Sequence, residues 1–247
     1  VLDADTERLR RLCAVKLDAQ AGRAMMYQAY YDNQAGVIAL LDSTERETFR
    51  TFLAESGCNW CELIVSAVSE RLQVTGFRFG SEADNEAAWA LWQGNSMDAD
   101  AELVQTDALV QGSSFVLVQP DEDNPTGVSI SPESALQATV LYEPGNRRHR
   151  IAGYKRFADI DYTVPGGVAM SSNAAVIEVL ILPDQIITWM PGQSAPYTIE
   201  PNPAGQVGLV EIVPQPRTLA PPRSELISAV TIQDRIHTTI FNRLVAT

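Results

Sequence analysis

Between Ser113 and Pro222 the chain is cut into short runs rich in Val, Ile, Tyr and Thr, punctuated by Pro, Gly and polar turns. They read SSFVLVQP, VSISP, ATVLYEP, RIAGYKRFAD, AAVIEVLILPD, QIITWMPG, PYTIEPN and VGLVEIVPQP. β-Branched and aromatic side chains suit a pleated surface, and proline has no N–H to offer a ladder, so each run is expected to be a short strand. The chain to about Pro222 is therefore expected to be β-rich. DEDNPTG, after Pro120, marks a turn. EPGNRRHR marks a hairpin tip that concentrates arginine. Arg147, Arg148 and Arg150 there are candidates to touch phosphate or an acidic neighbour, against the plainer reading of a solvated turn.

Residues 1–75 have the helical period instead. LDADTERLRRLCAVKLDAQ arranges acids and bases around Leu9, Leu12 and Val15, MMYQAYYDNQAG ends in a polar turn, and a short helix is expected around Glu45 to Glu55. In NWCELIVSAVSERL, Trp60, Leu63, Ile64, Ala67, Val68 and Leu72 recur at helical steps, with Glu62, Ser66, Ser69, Glu70 and Arg71 opposite. Asn59 or Ser56 is the expected N-cap. LQVTGFRFG then alternates, which predicts a strand with a bulge at Gly76. EAAWALWQGN is expected to be a short helix ending at Gly94. MDADAELVQTDALVQG is expected to be a second, with Met97, Ala101, Val104 and Ala108 on one stripe and a stop at Gly112. Trp60, Trp89, Trp92 and Trp189 are expected to anchor cores.

After Pro221 and Pro222 comes SELISAVTIQDRIHTTIFNRLVAT. Ser224 is a suitable N-cap and Glu225 suits the positive helix end. Leu226, Ile227, Val230, Ile236, Ile240, Phe241 and Leu244 form a broad apolar face on a helix that is still running at Thr247. The expectation is that this face is covered only by sister copies or by further chain.

Cys58-Asn59-Trp60-Cys61 raises the question of thiol chemistry. A helix N-terminus lowers a thiol pKa, which allows a redox pair. The redox motif needs a preceding strand, however, and ERETFRTFLAES looks helical. A zinc site needs further ligands, and only Cys13 and two distant histidines remain. Small structural residues at a helix start are the favoured reading, with redox and metal roles behind it. Cysteine usage does not suggest a secreted disulfide framework.

The remaining chemistry is sparse. There is no Walker A loop, no H-E-x-x-H, no G-x-S-x-G and no G-x-G-x-x-G, so neither a catalytic residue nor a cofactor or metal site is expected. No apolar run approaches the roughly 20 residues that span a bilayer, and VLDADTERLRRL is too charged for a signal peptide. Val1 is not a natural initiator, so residues are expected upstream. The net charge is −13. Twelve acids and no Lys or Arg fall between Phe79 and Asn146. A solvated, solubilising face is the plain reading, and a surface that avoids holding nucleic acid is the sharper one.

The order of these motifs carries a resemblance. NWCELIVSAVSERLQVTGFRF is followed by WALWQGNSMDADAELVQTDALVQGSSFVLVQP and a strand hairpin with a basic tip. A strand ending LPDQIITW, the segment GQVGLVEIVPQPR and the helix SELISAVTIQDRIHTTIFNRL come next. From about Tyr30 onward this set resembles the N-terminal half of SPP1-type portal proteins of tailed bacteriophages, as found in phages of actinobacteria. The resemblance implies an α+β fold with a helical N-terminal part, a β-rich wing domain and then a long stem helix. It implies a wing over 1–222 (helical 1–75, mixed and β-rich 76–222) and the start of the first stem helix over 223–247. The clip, second stem helix, tunnel loop and crown of such subunits would lie outside this sequence.

It further implies a structural subunit of a ring of about twelve copies at one capsid vertex of the virion, assembled in the bacterial host cytoplasm. Double-stranded DNA would pass through the ring without sequence specificity. The implied partners are the major capsid protein, terminase during packaging and neck or adaptor proteins, with no membrane. On the matched stem helix, Gln233, Asp234, Arg235, Ile236, Phe241 and Arg243 are the implied subunit interface, with Asp234 and Arg235 available for ion pairs between subunits. An acidic ring would let DNA slide, because it offers few cations to displace the duplex's counterions. A different β-rich virion protein, such as a neck adaptor or tail-associated protein, is the competing reading. A thiol enzyme using Cys58 and Cys61 is the third.

Overall fold

A computed structural model describes residues 2–35, 59–158, 176–217 and 220–245. The expected helix around Glu45 to Glu55, the alternative cap Ser56 and Cys58 lie outside the described residues. The fold is α+β, as expected. Its contacts divide the chain into a β-rich unit, residues 1–20 with 115–211, and a helical unit, residues 21–114 with 212–247. The division is discontinuous in sequence and does not fall at 222/223.

Helix α1, Ala4–Tyr31, contributes its first turns to the β-rich unit. Eight strands follow: β1 Ser114–Pro120, β2 Val128–Ser134, β3 Ala138–Glu143, β4 Asn146–Ala158, β5 Val176–Ile181, β6 Gln185–Trp189, β7 Thr198–Pro201 and β8 Leu209–Ile212. Every strand expected between Ser113 and Pro222 forms. They make a three-stranded sheet of order β2-β1-β8 and a five-stranded antiparallel meander β3-β4-β5-β6-β7. Short turns join β3 to β4 and β5 to β6, and strands so joined pair as antiparallel neighbours; sequence order is retained across the whole meander.

One face of the meander carries Ala152, Tyr154, Leu180, Leu182, Ile187 and Trp189, all buried. The register sets Tyr154 opposite Leu180 and Leu180 opposite Ile187, so period-2 alternation in three strands becomes one apolar row. Cys13 and Leu17 of α1 seal that row, with Leu2, Leu9 and Ala14 beside them. Leu12 and Val15, expected on this face, are exposed instead. The helix turns its polar Gln20 inward as well. The Gln20 amide donates to the Ala135 and Ala138 carbonyls at 2.7 and 2.8 Å and accepts from Thr139 Oγ1 at 3.1 Å. Those bonds offset the desolvation that makes buried polar groups unfavourable. Arg10 stacks 4.2 Å over the Trp189 ring while its Nε donates to Glu178 at 2.8 Å. This combines a cation–π contact with a charge-assisted bond.

The helical unit contains the rest of α1, then α2 Trp60–Ser69, α3 Glu82–Gly94, α4 Met97–Gln111, the 3-10 turn Glu225–Ser228 and α5 Val230–Val245. Asn59 caps α2, accepting from Glu62 N–H, and Ser81 caps α3 through Asp84 N–H. Helix α4 buries Met97, Val104 and Ala108 as its stripe predicts and ends at Gly112. Two expectations are corrected here. LQVTGFRFG forms no strand among the described residues, because its alternating residues meet an aromatic group rather than a partner ladder. Phe77 lies 5.5 Å from the Trp92 ring and 6.1 Å from Trp89. Helix α2 buries Cys61, Val65 and Ser69, whereas Trp60 and Leu63 of the expected stripe are 52% and 55% exposed. Helix α2 is apolar on most of its circumference, so periodicity alone does not choose its inner face. Of the four tryptophans, Trp189 is a core anchor, Trp89 and Trp92 are half-buried, and Trp60 is exposed.

Candidate functional site

The terminal helix is entered through Ser224. Its Oγ donates to the Leu109 carbonyl and accepts from Leu226 N–H, both at 3.1 Å. A Cβ at Gly112 would meet Ser224 N at 3.0 Å and the Arg223 carbonyl carbon at 3.1 Å, and Gly112 has φ +89. Glycine thus satisfies both the left-handed turn that ends α4 and the close approach of the Ser224 backbone. The continuous helix expected from Ser224 is a 3-10 turn followed by α5, which begins at Val230.

The inner stripe of this segment is Leu226, Ala229, Gln233 and His237. Leu226 and Ala229 join Cys61, Val65, Leu109 and Val110 in the core of the helical unit. One turn further on, the stripe is polar and its partners come from distant sequence. The Trp60 backbone N–H donates to Gln233 Oε1 at 3.1 Å, which turns the Gln233 amide nitrogen toward His237 Nε2 at 2.6 Å. His237 Nε2 also lies 2.9 Å from Asn33 Oδ1. Tyr30 Oη donates to both Asp234 oxygens, at 2.9 and 3.0 Å. Burial, then the Asp234 carboxylate, pushes the Tyr30 hydroxyl up to about 12. Gln233 and Asp234 are thus engaged within the chain, and Gln233 is fully buried. Arg235 and Arg243 are exposed, and Ile236 and Phe241 are half-buried. The expectation that the whole segment awaits outside partners is corrected for this inner stripe. Ile227 and Ile232 remain exposed on other faces.

Burial holds His237 below its usual value, against the opposing pull of Asp234. A base depressed in the folded state favours folding least when the unfolded chain can take up the proton that the native chain refuses. Stability is therefore expected to fall as pH drops below about 6.5 toward the folded-state value, and to be unaffected by this group above it. Urea midpoints at neutral and mildly acidic pH should show a drop on acidification that shrinks in His237→Gln. An equal drop in both proteins would remove His237 as the cause.

The basic tip sits in the β-rich unit. Gly145 takes φ +83 at the turn between β3 and β4. Asn146 Nδ2 donates to Glu143 at 3.3 Å, and the Arg148 N–H donates to Asn146 Oδ1 at 3.1 Å. Arg147 and Arg148 are exposed and Arg150 is half-buried opposite Tyr142. None of the three forms an ion pair among the described residues. By contrast, Lys155 pairs with Glu133 and Arg156 with Asp18.

Cys61 lies in the first turn of α2, fully buried, its thiol pushed up to about 11 by burial and then by Asp234. A thiol held protonated and out of solvent is a poor nucleophile, which counts against the redox reading.

A feature that the sequence reading missed is a groove of about 440 Å³ in the helical unit. Glu70, Leu72, Gln73 and Val74 line one side, Trp89 and Trp92 of α3 another, and Asp98, Ala101, Glu102 and Gln105 of α4 a third. Trp92 Nε1 donates to Asp98 Oδ1 at 2.8 Å. The available signal was the pair of tryptophans three residues apart on a short helix, followed at once by the acids that open α4.

Comparison with known proteins defines the class to which this fold belongs. The chain is 31% identical over 200 residues to the portal protein of Mycobacterium phage L5, an alignment covering 76% of this chain and 37% of that protein. It is 29% identical over 164 residues to the portal protein of Mycobacterium phage D29, covering 62% and 31%. These alignments span about a third of each relative's length. The sequence model of the family described as phage portal protein, SPP1 Gp6-like, matches residues 12–164, from within α1 to beyond β4. The chain belongs to the SPP1 Gp6-like family of phage portal proteins.

Proposed function

We propose that this chain is part of a subunit of a portal ring of about twelve copies at one vertex of the phage capsid. In this reading residues 1–222 are wing and residues 223–247 begin the first stem helix. The observation that carries it is the family match over residues 12–164, which takes in the N-terminal helix from Leu12 onward, α2 to α4 and the first four strands. The ring is the channel for DNA during packaging and ejection, and the platform on which terminase and then neck or adaptor proteins dock beside the major capsid protein. A closed ring needs a heterologous interface, one surface of a subunit meeting a different surface of the next. Arg235, Ile236, Phe241 and Arg243 are proposed to belong to it. Gln233 and Asp234, engaged inside the chain, support that surface from beneath.

The acidity fits a conduit. With net charge −13, acids in this part of the subunit outnumber its cations, so attachment to a passing duplex that would stall DNA is weak. Mass photometry of the purified full-length subunit is expected to give one closed species of about twelve copies. A DNA salt series on that species is expected to show little binding at ~0.15 M salt. A monomer or hexamer under all conditions contradicts the ring. Tight binding with a steep salt slope contradicts the low-friction channel.

A further inference from the structure

We propose that the groove between α3 and α4 receives the arginine-bearing hairpin tip of a second copy. The inference rests on the ring reading and supplies one of its heterologous contacts. The groove presents two half-buried indoles, Trp89 and Trp92, beside the carboxylates of Glu70, Asp98 and Glu102. That combination recognises a guanidinium, whose flat faces stack on aromatic rings while its edge N–H groups pair with carboxylate. The chain already builds this arrangement once. Arg10 lies 4.2 Å over Trp189 and bonds Glu178 at 2.8 Å. In the groove the indoles and acids are present, and no guanidinium is among the lining residues.

The complementary surface belongs to the same chain. Arg147 and Arg148 project from the β3–β4 turn, with Arg150 one step behind, and none has an ion-pair partner among the described residues. The tip's shape is set by its own bonds, Asn146 to Glu143 and the Arg148 N–H to Asn146. It therefore loses little conformational freedom on docking. Tip and groove are different surfaces of one chain, so their meeting between copies is head-to-tail, the kind of contact that closes a ring when the rotation per subunit is right.

The test uses two differently tagged populations of the full-length subunit, one carrying Arg148→Cys and the other Glu102→Cys. Both substitutions are at exposed positions, which limits their effect on folding. Mixed, assembled and treated with a short bis-maleimide, whose span replaces that of the Arg and Glu side chains, they are expected to give a product joining the two tags, absent when either is mixed with wild type. Charge reversal supplies a second readout. Arg147→Glu with Arg148→Glu is expected to raise the concentration for half-assembly at least about tenfold, and Glu70→Arg with Glu102→Arg in the same chain to recover most of it. Closed rings with no cross-link between tags overturn the inference and leave the ring reading standing. Unaltered assembly after charge reversal also overturns it. Failure of the wild-type subunit to form rings removes both.

Discussion

Trp189→Ala is expected to destabilise the β-rich unit by about 4 kcal/mol, within the range for emptying a large aromatic from a packed core. Trp189 is 1% exposed and packs with Tyr154, Leu180, Leu182 and Ile187 beneath α1. Its loss leaves a cavity and removes the ring on which Arg10 stacks, so the Glu178 pairing loses its support. By calorimetry the transition of this unit should fall by roughly 15 °C. Trp189→Phe separates the two contributions. The indole Nε1 has no hydrogen-bond partner among the described residues, so losing that polar atom costs little, and only volume is forfeited. A loss of about 1–2 kcal/mol is expected for Phe. Equal losses for Ala and Phe would show that the apolar row is not what holds the meander to α1.

Gly208→Ala is expected to be nearly as damaging, for the opposite reason. The Cβ of any residue there would lie 2.0 Å from the Val118 carbonyl oxygen. The obstacle is backbone, and the same segment is pinned by the Val118 N–H donating to the Gly208 carbonyl at 3.0 Å. Relief of the clash requires Val118 and Gly208 to separate, breaking that bond where β1 and β8 are neighbours. Overpacking of this kind costs about 3 kcal/mol. Gly80→Ala is the control, because a Cβ there meets nothing within 4 Å and φ is not in the left-handed region. It should be neutral or slightly stabilising, through the narrower unfolded ensemble. A Gly208→Ala protein with the stability of the Gly80 control would refute the close approach of Val118 to Gly208.

The strands were legible because their information is local. VIEVLI and QIITW are rich in β-branched residues, and Pro or Gly ends each run, so composition and punctuation define them without knowledge of partners. The same holds for the Asn59 cap and for the stripe of α4. What the sequence concealed depends on partners far along the chain. Gln233 and His237 look like the solvent side of an amphipathic helix. They are buried because the Trp60 N–H and Asn33, more than 170 positions away, satisfy them. LQVTGFRFG has the alternation of a strand, but Trp89 and Trp92 give Phe77 an aromatic neighbour where a ladder was expected. In WCELIVSAVS the outward Trp60 and Leu63 match the inward Cys61 and Val65 in apolarity, and only packing reveals which side faces in. The interface candidates were placed by resemblance, and the groove emerged only once α3 and α4 were set side by side.

The portal reading is tested most directly by an asymmetric cryo-electron microscopy reconstruction of the phage particle that carries this protein, made without imposing capsid symmetry. The account predicts the five-stranded meander and its sealing helix repeated about twelve times around a DNA-bearing axis at a single vertex. The same fold at every vertex, or only in the tail, would contradict it.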